Sequence, residues 1–296
     1  MPLEPDRLLK PLKKLRKLIR RMDRQPAPGK VHDLRTNTRR FESIFQALSL
    51  EEHGVGKSTL KDLGRLRKRA GKVRDLDVLT GFASTIHLKG EEECGVQLLE
   101  NLGAQRKKHA TRLYKEAIRL RSSLHKDLKH ASSIVAKLLQ EKASVSKADT
   151  RTADTMAAAA KLSAGLATPR QLGRKTLHPY RLKVKGLRNV LQMADSAVRS
   201  KFVDDLGQVK DAIGEWHDWE ELVSIARKVL DHGKECALQG ELKRIVEQKY
   251  EKALGVSERL RKTYLHNARP VRKGASASSQ KVPGPAVCEA TSLFFE

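Results

Sequence analysis

The segment VHDLRTNTRR, residues 31–40, brings one histidine and two arginines onto a single face of a predicted helix. At about 100° per residue, His32, Arg35 and Arg39 fall within roughly 60° of one another, and Arg40 lies beside them. Arginine presents a planar set of N–H donors that fits phosphate oxygens, and histidine adds a further donor. The spacing indicates an anion-binding site, and the alternative is a solvated helix face with exposed ion pairs. We call His32, Arg35 and Arg39 the first stripe.

The same pattern occurs a second time, because residues 177–194 align with residues 31–48 without a gap. In this alignment His178, Arg181 and Lys185 occupy the three positions of the first stripe, and the apolar positions match as well. We call these three residues the second stripe. A single stripe fits a solvated helix face somewhat better than a binding site. Its duplication favours the anion-binding site.

A second pair of matching blocks follows in each half, AGKVRDLDVL (70–79) and IGEWHDWEEL (213–222). This match brings Asp75 onto Asp218. Two separated blocks that match in the same order indicate an internal duplication. The expected fold is therefore two similar helical bundles related by a pseudo-two-fold axis, with the two stripes facing one common cleft.

Asp75 and Asp218 are predicted to support the site by accepting hydrogen bonds from nearby arginine or histidine side chains. The alternative pairs Asp75 with Asp77, and Asp218 with Glu220, as carboxylates for metal binding or acid–base catalysis. Residues two apart on a helix do not share a face, which argues against that alternative. No catalytic residue and no metal ligand is assigned.

A row of four basic residues precedes Asp75 at spacings that place it on one helix face: Lys61, Arg65, Lys68 and Lys72. The second half is thinner here, since only Lys201 and Lys210 precede Asp218. Rows of this kind are usually solvated helix faces, so the row fits an anion-binding role and an ordinary solvated surface equally well. The row and Lys210 are kept as candidate ligands of the anion.

Composition points to a polyanionic partner, because 60 Lys and Arg face 35 Asp and Glu and give a net charge of +25. Nucleic acid, an anionic membrane and an inorganic polyanion are the candidates. Aromatic residues make up only 4%, which leaves few stacking platforms for bases. Three scattered cysteines predict a reducing compartment without disulfides or a zinc site. With no apolar run long enough to span a membrane, the expected location is the cytoplasm.

Helical periodicity covers nearly every long segment, and strand alternation is almost absent, so the sequence predicts an all-α protein. The basic amphipathic stretch 7–22 fits the first helix of the fold better than a transit peptide or a membrane-surface helix. The predicted organisation is a first helical-bundle half over 1–142, a partly helical connector over 143–170, a second half over 171–266, and a disordered tail over 267–296.

The four matching blocks, in this order and spacing, resemble the CHAD family, the conserved histidine α-helical domain, over about residues 1–266. The resemblance implies two four-helix bundles of long antiparallel helices with pseudo-two-fold symmetry around a basic central cavity that binds inorganic polyphosphate. It carries the family's histidines and basic residues onto His32, Arg35, Arg39, Arg40, His178, Arg181, Lys185 and Arg188.

Two positions depart from the family pattern. Glu42 stands ten residues after His32, where a basic residue is common, and Gly186 stands where the second half usually has another basic residue. The two half-sites are therefore expected to be unequal. The CYTH-type triphosphatase to which some members are fused has no counterpart here, since EEECG (91–95) lacks the lysine of its motif.

The leading hypothesis is a non-catalytic polyphosphate-binding module, cytoplasmic and associated with polyphosphate granules, that needs no cofactor. One alternative is an enzyme that makes or cuts phosphoanhydrides, which requires metal-holding carboxylates beside the basic site. Another is an RNA- or DNA-binding protein, in which case nucleic acid would displace polyphosphate; in the leading hypothesis nucleic acid is at most a weaker competitor. The sequence does not specify an oligomeric state.

Overall fold

The computed structural model describes residues 5–90, 92–142, 161–194, 201–231 and 236–265, and within them the chain is helical and contains no strand. The predicted all-α class is confirmed. Most of the predicted connector and the predicted tail lie outside the described residues, although residues 161–165 are helical. The long helices are α1 (Pro5–Arg20), α2 (Pro28–Ala47), α3 (Lys57–Ala83), α4 (Glu92–Lys142), α5 (Arg174–Ala194), α6 (Lys201–Val229) and α7 (Ala237–Leu265).

The apolar faces of α1 and α2 form part of one core. Leu12, Leu15 and Ile19 of α1 are buried, as are Leu34 and Phe41 of α2. Because these residues recur every three or four positions, one side of each helix is apolar and the opposite side carries the charges. The basic stretch at the N-terminus is therefore the first helix of the fold, and the first stripe lies on the polar side of α2.

The longest element is α4, which at 51 residues extends over about 76 Å. It packs against both α1 and α3, and α2 packs against the same two helices. Buried residues of α4 such as Leu113, Leu120 and Leu124 belong to the same core as those of α1 and α2. The packing of α2 on α3 places the first stripe beside Asp75.

The chain divides into two compact units, the first comprising residues 1–147 and 221–240 and the second residues 148–220 and 241–296. In the second unit, α5 contributes the buried side chains of Leu177, Tyr180 and Leu187 to the interior. The indole ring of Trp216 on α6 lies 5.6 Å from the ring of Tyr250 on α7, measured between centroids. This packing fixes α5 and α6 as the helices that carry the second stripe and its neighbours.

Two of the three cysteines meet in the first unit, although 142 residues separate them in sequence. The Sγ atoms of Cys94 and Cys236 lie 3.8 Å apart, and both residues are buried free thiols. Cys288 falls outside the described residues. No helix in the described part of the chain is both long enough and apolar enough to cross a bilayer.

Candidate functional site: two arginine-bearing helix faces

The first stripe is held in place through Arg35. Its Nη1 donates to Oδ1 of Asp75 at 3.1 Å and to the carbonyl oxygen of Gly71 at 3.4 Å. The guanidinium therefore lies against the backbone of α3, and a Cβ atom added to Gly71 would still lie 4.0 Å from Nη1. Two contacts to one nitrogen leave further N–H groups of this five-donor side chain for an anion. The contacts also reduce the entropy lost when an anion is bound.

The second stripe is held in a similar way through Arg181. Its Nε donates to the carbonyl oxygen of Lys210 on α6 at 3.1 Å. A Cβ atom added to Gly214 would lie only 2.7 Å from Nη2 of Arg181, so the guanidinium rests directly on the glycine. The arrangement positions the guanidinium against the surface of the helix.

Arg188 continues this arrangement one step further along α5. Its Nε donates to the carbonyl oxygen of Val203 at 3.4 Å, and a Cβ atom added to Gly207 would lie 3.3 Å from the same nitrogen. Gly207 precedes Gly214 by seven residues, as Arg181 precedes Arg188 by seven. Two arginines of α5 thus pack against two glycines of α6.

The glycines were not singled out from the sequence, although a signal for them exists. Gly71 and Gly214 occupy the same position in the two matching blocks, four residues before Asp75 and Asp218. A glycine in the interior of a long helix weakens that helix, so its recurrence in both repeats calls for a packing reason. In the second half that reason is Arg181, whose Nη2 would lie 2.7 Å from a Cβ atom at Gly214, whereas a Cβ atom at Gly71 would lie 4.0 Å from Nη1 of Arg35.

The two half-sites differ in the contacts of the equivalent aspartates, Asp75 and Asp218. Asp75 binds Arg35, whereas Asp218 lies 3.9 Å from Nδ1 of its neighbour His217 and makes an ion pair only when that histidine is protonated. Arg181 takes a backbone carbonyl instead. The structure therefore shows a charged partner for the arginine in the first half and an uncharged one in the second.

The two halves also differ at the two positions where the sequence departs from the family pattern. Oε1 of Glu42 lies 3.0 Å from Nε of Arg67 on α3, so this acid compensates a cation of the adjoining helix. The second half carries Arg188 at the equivalent position. The first half has Arg40, which is exposed, where the second has Gly186. Each half thus gains one cation that the other lacks.

The basic row on α3 is solvent-exposed at all four of its positions, Lys61, Arg65, Lys68 and Lys72. Arg65 makes a 3.1 Å ion pair with Asp62. Burial lowers the pKa of His109 on α4, and the charges of Arg112 and Lys72 lower it further. The Lys72 end of the row therefore faces basic residues of α4.

Lys210, a candidate ligand from the sequence, has a different role in the structure. Its Nζ lies 2.8 Å from Oδ1 of Asp211, and its carbonyl oxygen accepts the hydrogen bond from Arg181. The backbone of Lys210, rather than its charge, thus supports the second stripe. At the α6 positions equivalent to the basic row the chain carries Asp204, Gln208, Asp211 and Glu215, so the row is not repeated.

Asp77 points to a different helix from Asp75, as expected for residues two apart. Its Oδ1 accepts from Nε of Arg106 at 2.6 Å, and Arg106 also donates to the carbonyl oxygen of Pro26 at 2.8 Å. The Asp77 side chain is only 4% exposed, against 46% for Asp75. Over the described residues, no group of three or more histidine, cysteine, aspartate or glutamate side chains is arranged to hold a metal ion.

A histidine pair marks the second stripe. The imidazole rings of His178 and His217 lie 4.9 Å apart between centroids. Burial lowers the pKa of His178 from its ordinary value, and His217 and Arg181 lower it further. A lowered pKa favours the neutral imidazole of His178 at pH 7 in the free protein.

A family model described as the CHAD domain matches residues 6–227, about three quarters of the chain. The match includes both stripes, the row on α3 and both aspartates. No curated protein and no solved structure matches the chain.

Proposed function

We propose that this chain, which belongs to the CHAD family, binds inorganic polyphosphate through both stripes and does not turn it over. The observation that carries the proposal is that the stripe arginine of each repeat is hydrogen-bonded to the neighbouring helix. Arg35 at Gly71 and Arg181 at Gly214 occupy equivalent positions in the two repeats. Each is held against a neighbouring helix by part of its guanidinium, and the remaining donors suit phosphoryl oxygens.

The length of a stripe favours an extended anion. His32 and Arg39 are seven residues apart, which corresponds to about 10 Å along the helix axis. A single phosphate group is too small to reach both. A chain of phosphates can contact every member of a stripe at once, and the charge of +25 over the whole protein supplies a long-range attraction.

The burial of aromatic residues near the stripes supports an inorganic chain over nucleic acid. Phe41 on α2, Tyr180 on α5 and Trp216 on α6 are all less than 3% exposed. Proteins that bind single strands stack bases on exposed aromatic rings. These three rings lie in the core and offer no such surface to a base.

The carboxylates near the first stripe support a binding role without catalysis. Transfer of phosphoryl groups commonly relies on carboxylates that hold metal ions beside the basic residues. Here Asp75 is engaged by Arg35, and Asp77 is engaged by Arg106. Both act as hydrogen-bond acceptors that position arginines.

A competition titration tests the proposal. Labelled long polyphosphate bound to the protein is displaced by unlabelled polyphosphate, by RNA and by tripolyphosphate at one ionic strength, with concentrations expressed per phosphate. We expect polyphosphate to compete best and RNA to compete weakly. Displacement by RNA at equal phosphate concentration would instead identify a nucleic-acid-binding protein.

A second assay separates binding from catalysis. Polyphosphate is incubated with the protein and Mg²⁺ or Mn²⁺, and release of phosphate and change of chain length are followed. We expect neither. Turnover that disappears in the Arg35→Gln/Arg39→Gln variant would identify the phosphoanhydride-processing alternative. In cells, the proposal includes association with polyphosphate granules, which a fluorescent fusion of the wild type should show and the same variant should lose.

A further inference from the structure

A basic pocket of about 380 Å³ lies between α1 and α4, and its lining contains no residue of either stripe. Arg16 and Arg20 of α1 line it together with Arg121, His125 and Lys126 of α4. Ile19 and Leu128 supply an apolar part of the wall. Neither the sequence patterns nor the proposed function assigns a role to these residues.

The charge of this pocket is not balanced by acids. Four permanent cations line it, and its lining includes no carboxylate. Across the described residues, none of these four cations forms an ion pair. Like charges that share a partly buried site repel one another, so the arrangement destabilises the free protein. A bound anion would remove that repulsion.

Two donors in the pocket residues are also unsatisfied. Nε of Arg16 and Nε of Arg121 are shielded from solvent and have no hydrogen-bond partner among the described residues. A buried donor without a partner costs free energy and calls for an explanation. Both arginines are among the residues that line the pocket, so an oxyanion bound there is a candidate partner for these donors.

We propose that this pocket is a second anion-binding site, which takes a run of two or three phosphoryl groups. Its volume is at the lower end of the range of about 300–1,000 Å³ that is usual for small-molecule sites. Arginine side chains from two helices favour phosphoryl oxygens, which they can bind in pairs. The run of phosphoryl groups is either a short free compound or the end of a long polyphosphate chain.

Calorimetric titration with tripolyphosphate tests the site in a protein whose stripes have been removed by Arg35→Gln, Arg39→Gln, Arg181→Gln and Lys185→Gln. We expect tripolyphosphate to bind this protein still. Adding Arg16→Gln/Arg121→Gln should lower the affinity by about tenfold or more, as expected for the loss of charge-assisted hydrogen bonds. The matched control is Lys13→Gln/Lys129→Gln, which removes two exposed charges from the same helices and should change the affinity little.

The same variants distinguish the two sources of the phosphoryl groups. If Arg16→Gln/Arg121→Gln in the otherwise intact protein lowers the affinity for tripolyphosphate alone, the ligand is a short free compound. If it also lowers the affinity for long polyphosphate, the pocket takes a chain end. The proposal would be overturned if Arg16→Gln/Arg121→Gln and the control Lys13→Gln/Lys129→Gln bound each probe with the same affinity. This holds whatever the stripe variants show.

A second pair of substitutions guards against a folding defect in the first. Arg20 and Lys126 line the pocket but are exposed, so Arg20→Gln/Lys126→Gln should leave the helices intact. We expect this variant to weaken tripolyphosphate as well, with an unchanged circular dichroism spectrum. Unchanged binding in this folded variant would count against the pocket. Failure of the stripes to bind long polyphosphate would count against the proposed function alone.

Discussion

The guanidinium of Arg181 rests on Gly214 so closely that a Cβ atom at the glycine would lie 2.7 Å from Nη2. The contact joins α5 to α6 at the second stripe and leaves no room for even the smallest side chain. Because the clashing atoms are at the end of a flexible side chain, the arginine can move while the helices stay in place. We therefore expect a methyl group at Gly214 to displace the guanidinium of Arg181 without disturbing the helices.

The first prediction is that Gly214→Ala keeps the fold but weakens polyphosphate binding by up to about tenfold, equivalent to about 1.4 kcal/mol. Alanine favours the helix by about 1 kcal/mol over glycine, so the melting temperature should not fall. Gly255→Ala is the control, since nothing lies within 4 Å of its added Cβ atom. Wild-type affinity in a folded Gly214→Ala protein would show that the contact of Arg181 with Gly214 does not contribute to binding.

The second prediction is that Gly71→Ala has a much smaller effect than Gly214→Ala. An added Cβ atom would lie 4.0 Å from Nη1 of Arg35, which is an ordinary van der Waals contact. The ion pair with Asp75 should hold the arginine where it is. Titration of the two alanine variants side by side checks this, and an equal loss of affinity in both would contradict the difference between the half-sites.

The third prediction concerns the two aspartates of α3. Asp77→Asn should lower the free energy of unfolding by about 2–3 kcal/mol, because it leaves the partly buried Arg106 without its charged partner. Asp75→Asn should cost less than about 1 kcal/mol, since the Asp75 side chain is 46% exposed and water screens the pair. Urea unfolding followed by circular dichroism measures both. A cost for Asp75→Asn as large as that for Asp77→Asn would be inconsistent with their different burial.

The fourth prediction concerns charge reversal on the stripes. If one long chain contacts both stripes, as we propose, each stripe raises the effective concentration for the other, and Arg35→Glu/Arg39→Glu should weaken the binding of long polyphosphate by about a hundredfold or more. Tripolyphosphate should be affected far less, since it can use the second stripe. Arg181→Glu/Lys185→Glu should reduce the affinity to a similar degree, because Arg188 makes up for the cation that the second half lacks at Gly186.

The control for charge reversal is Lys10→Glu/Lys13→Glu on α1, which makes the same change of net charge at exposed positions outside the stripes. It should reduce long-chain affinity only slightly. If the control and the stripe variants lose equal affinity, binding depends on net charge and not on the stripes.

The fifth prediction is that affinity for polyphosphate rises as the pH falls, and that the rise continues below pH 6.5. Burial, His217 and Arg181 place the pKa of His178 in the free protein below that ordinary value. A bound polyanion favours the imidazolium, so binding takes up a proton as the pH drops through this range. His178→Gln should reduce the rise, whereas His53→Gln, at an exposed turn, should not.

The free energy of unfolding of the free protein should have the opposite pH dependence and should fall as the pH falls. His178 has its ordinary pKa in the unfolded chain, so as the pH falls the unfolded state binds a proton before the folded state does. The contribution of His178 to the free energy of unfolding is therefore present above pH 6.5. It is lost as the pH falls through the lower pKa of the folded state. Urea unfolding of the wild type and of His178→Gln at several pH values measures this. An identical dependence in both proteins would rule out His178 as the source.

The sequence by itself determined the helices and their faces. Leu12, Leu15 and Ile19 are buried on α1, and Leu34 and Phe41 are buried on α2, because helical periodicity depends only on neighbours a few residues away. The matching blocks and both stripes were also accessible from residue types and spacing, and the family from the resemblance of those blocks. The predicted pairing of Asp75 with a nearby arginine agrees with its contact to Arg35.

Only the tertiary structure decided which helices meet and what each charge contacts. Arg181 takes a carbonyl of α6 where Arg35 takes a carboxylate, and Lys210 contributes its backbone. The pocket between Arg16 and Arg121 joins segments that are about a hundred residues apart in sequence. Such contacts depend on the register in which whole helices pack, which is set by the fit of many buried side chains and leaves no local periodic signal in the chain.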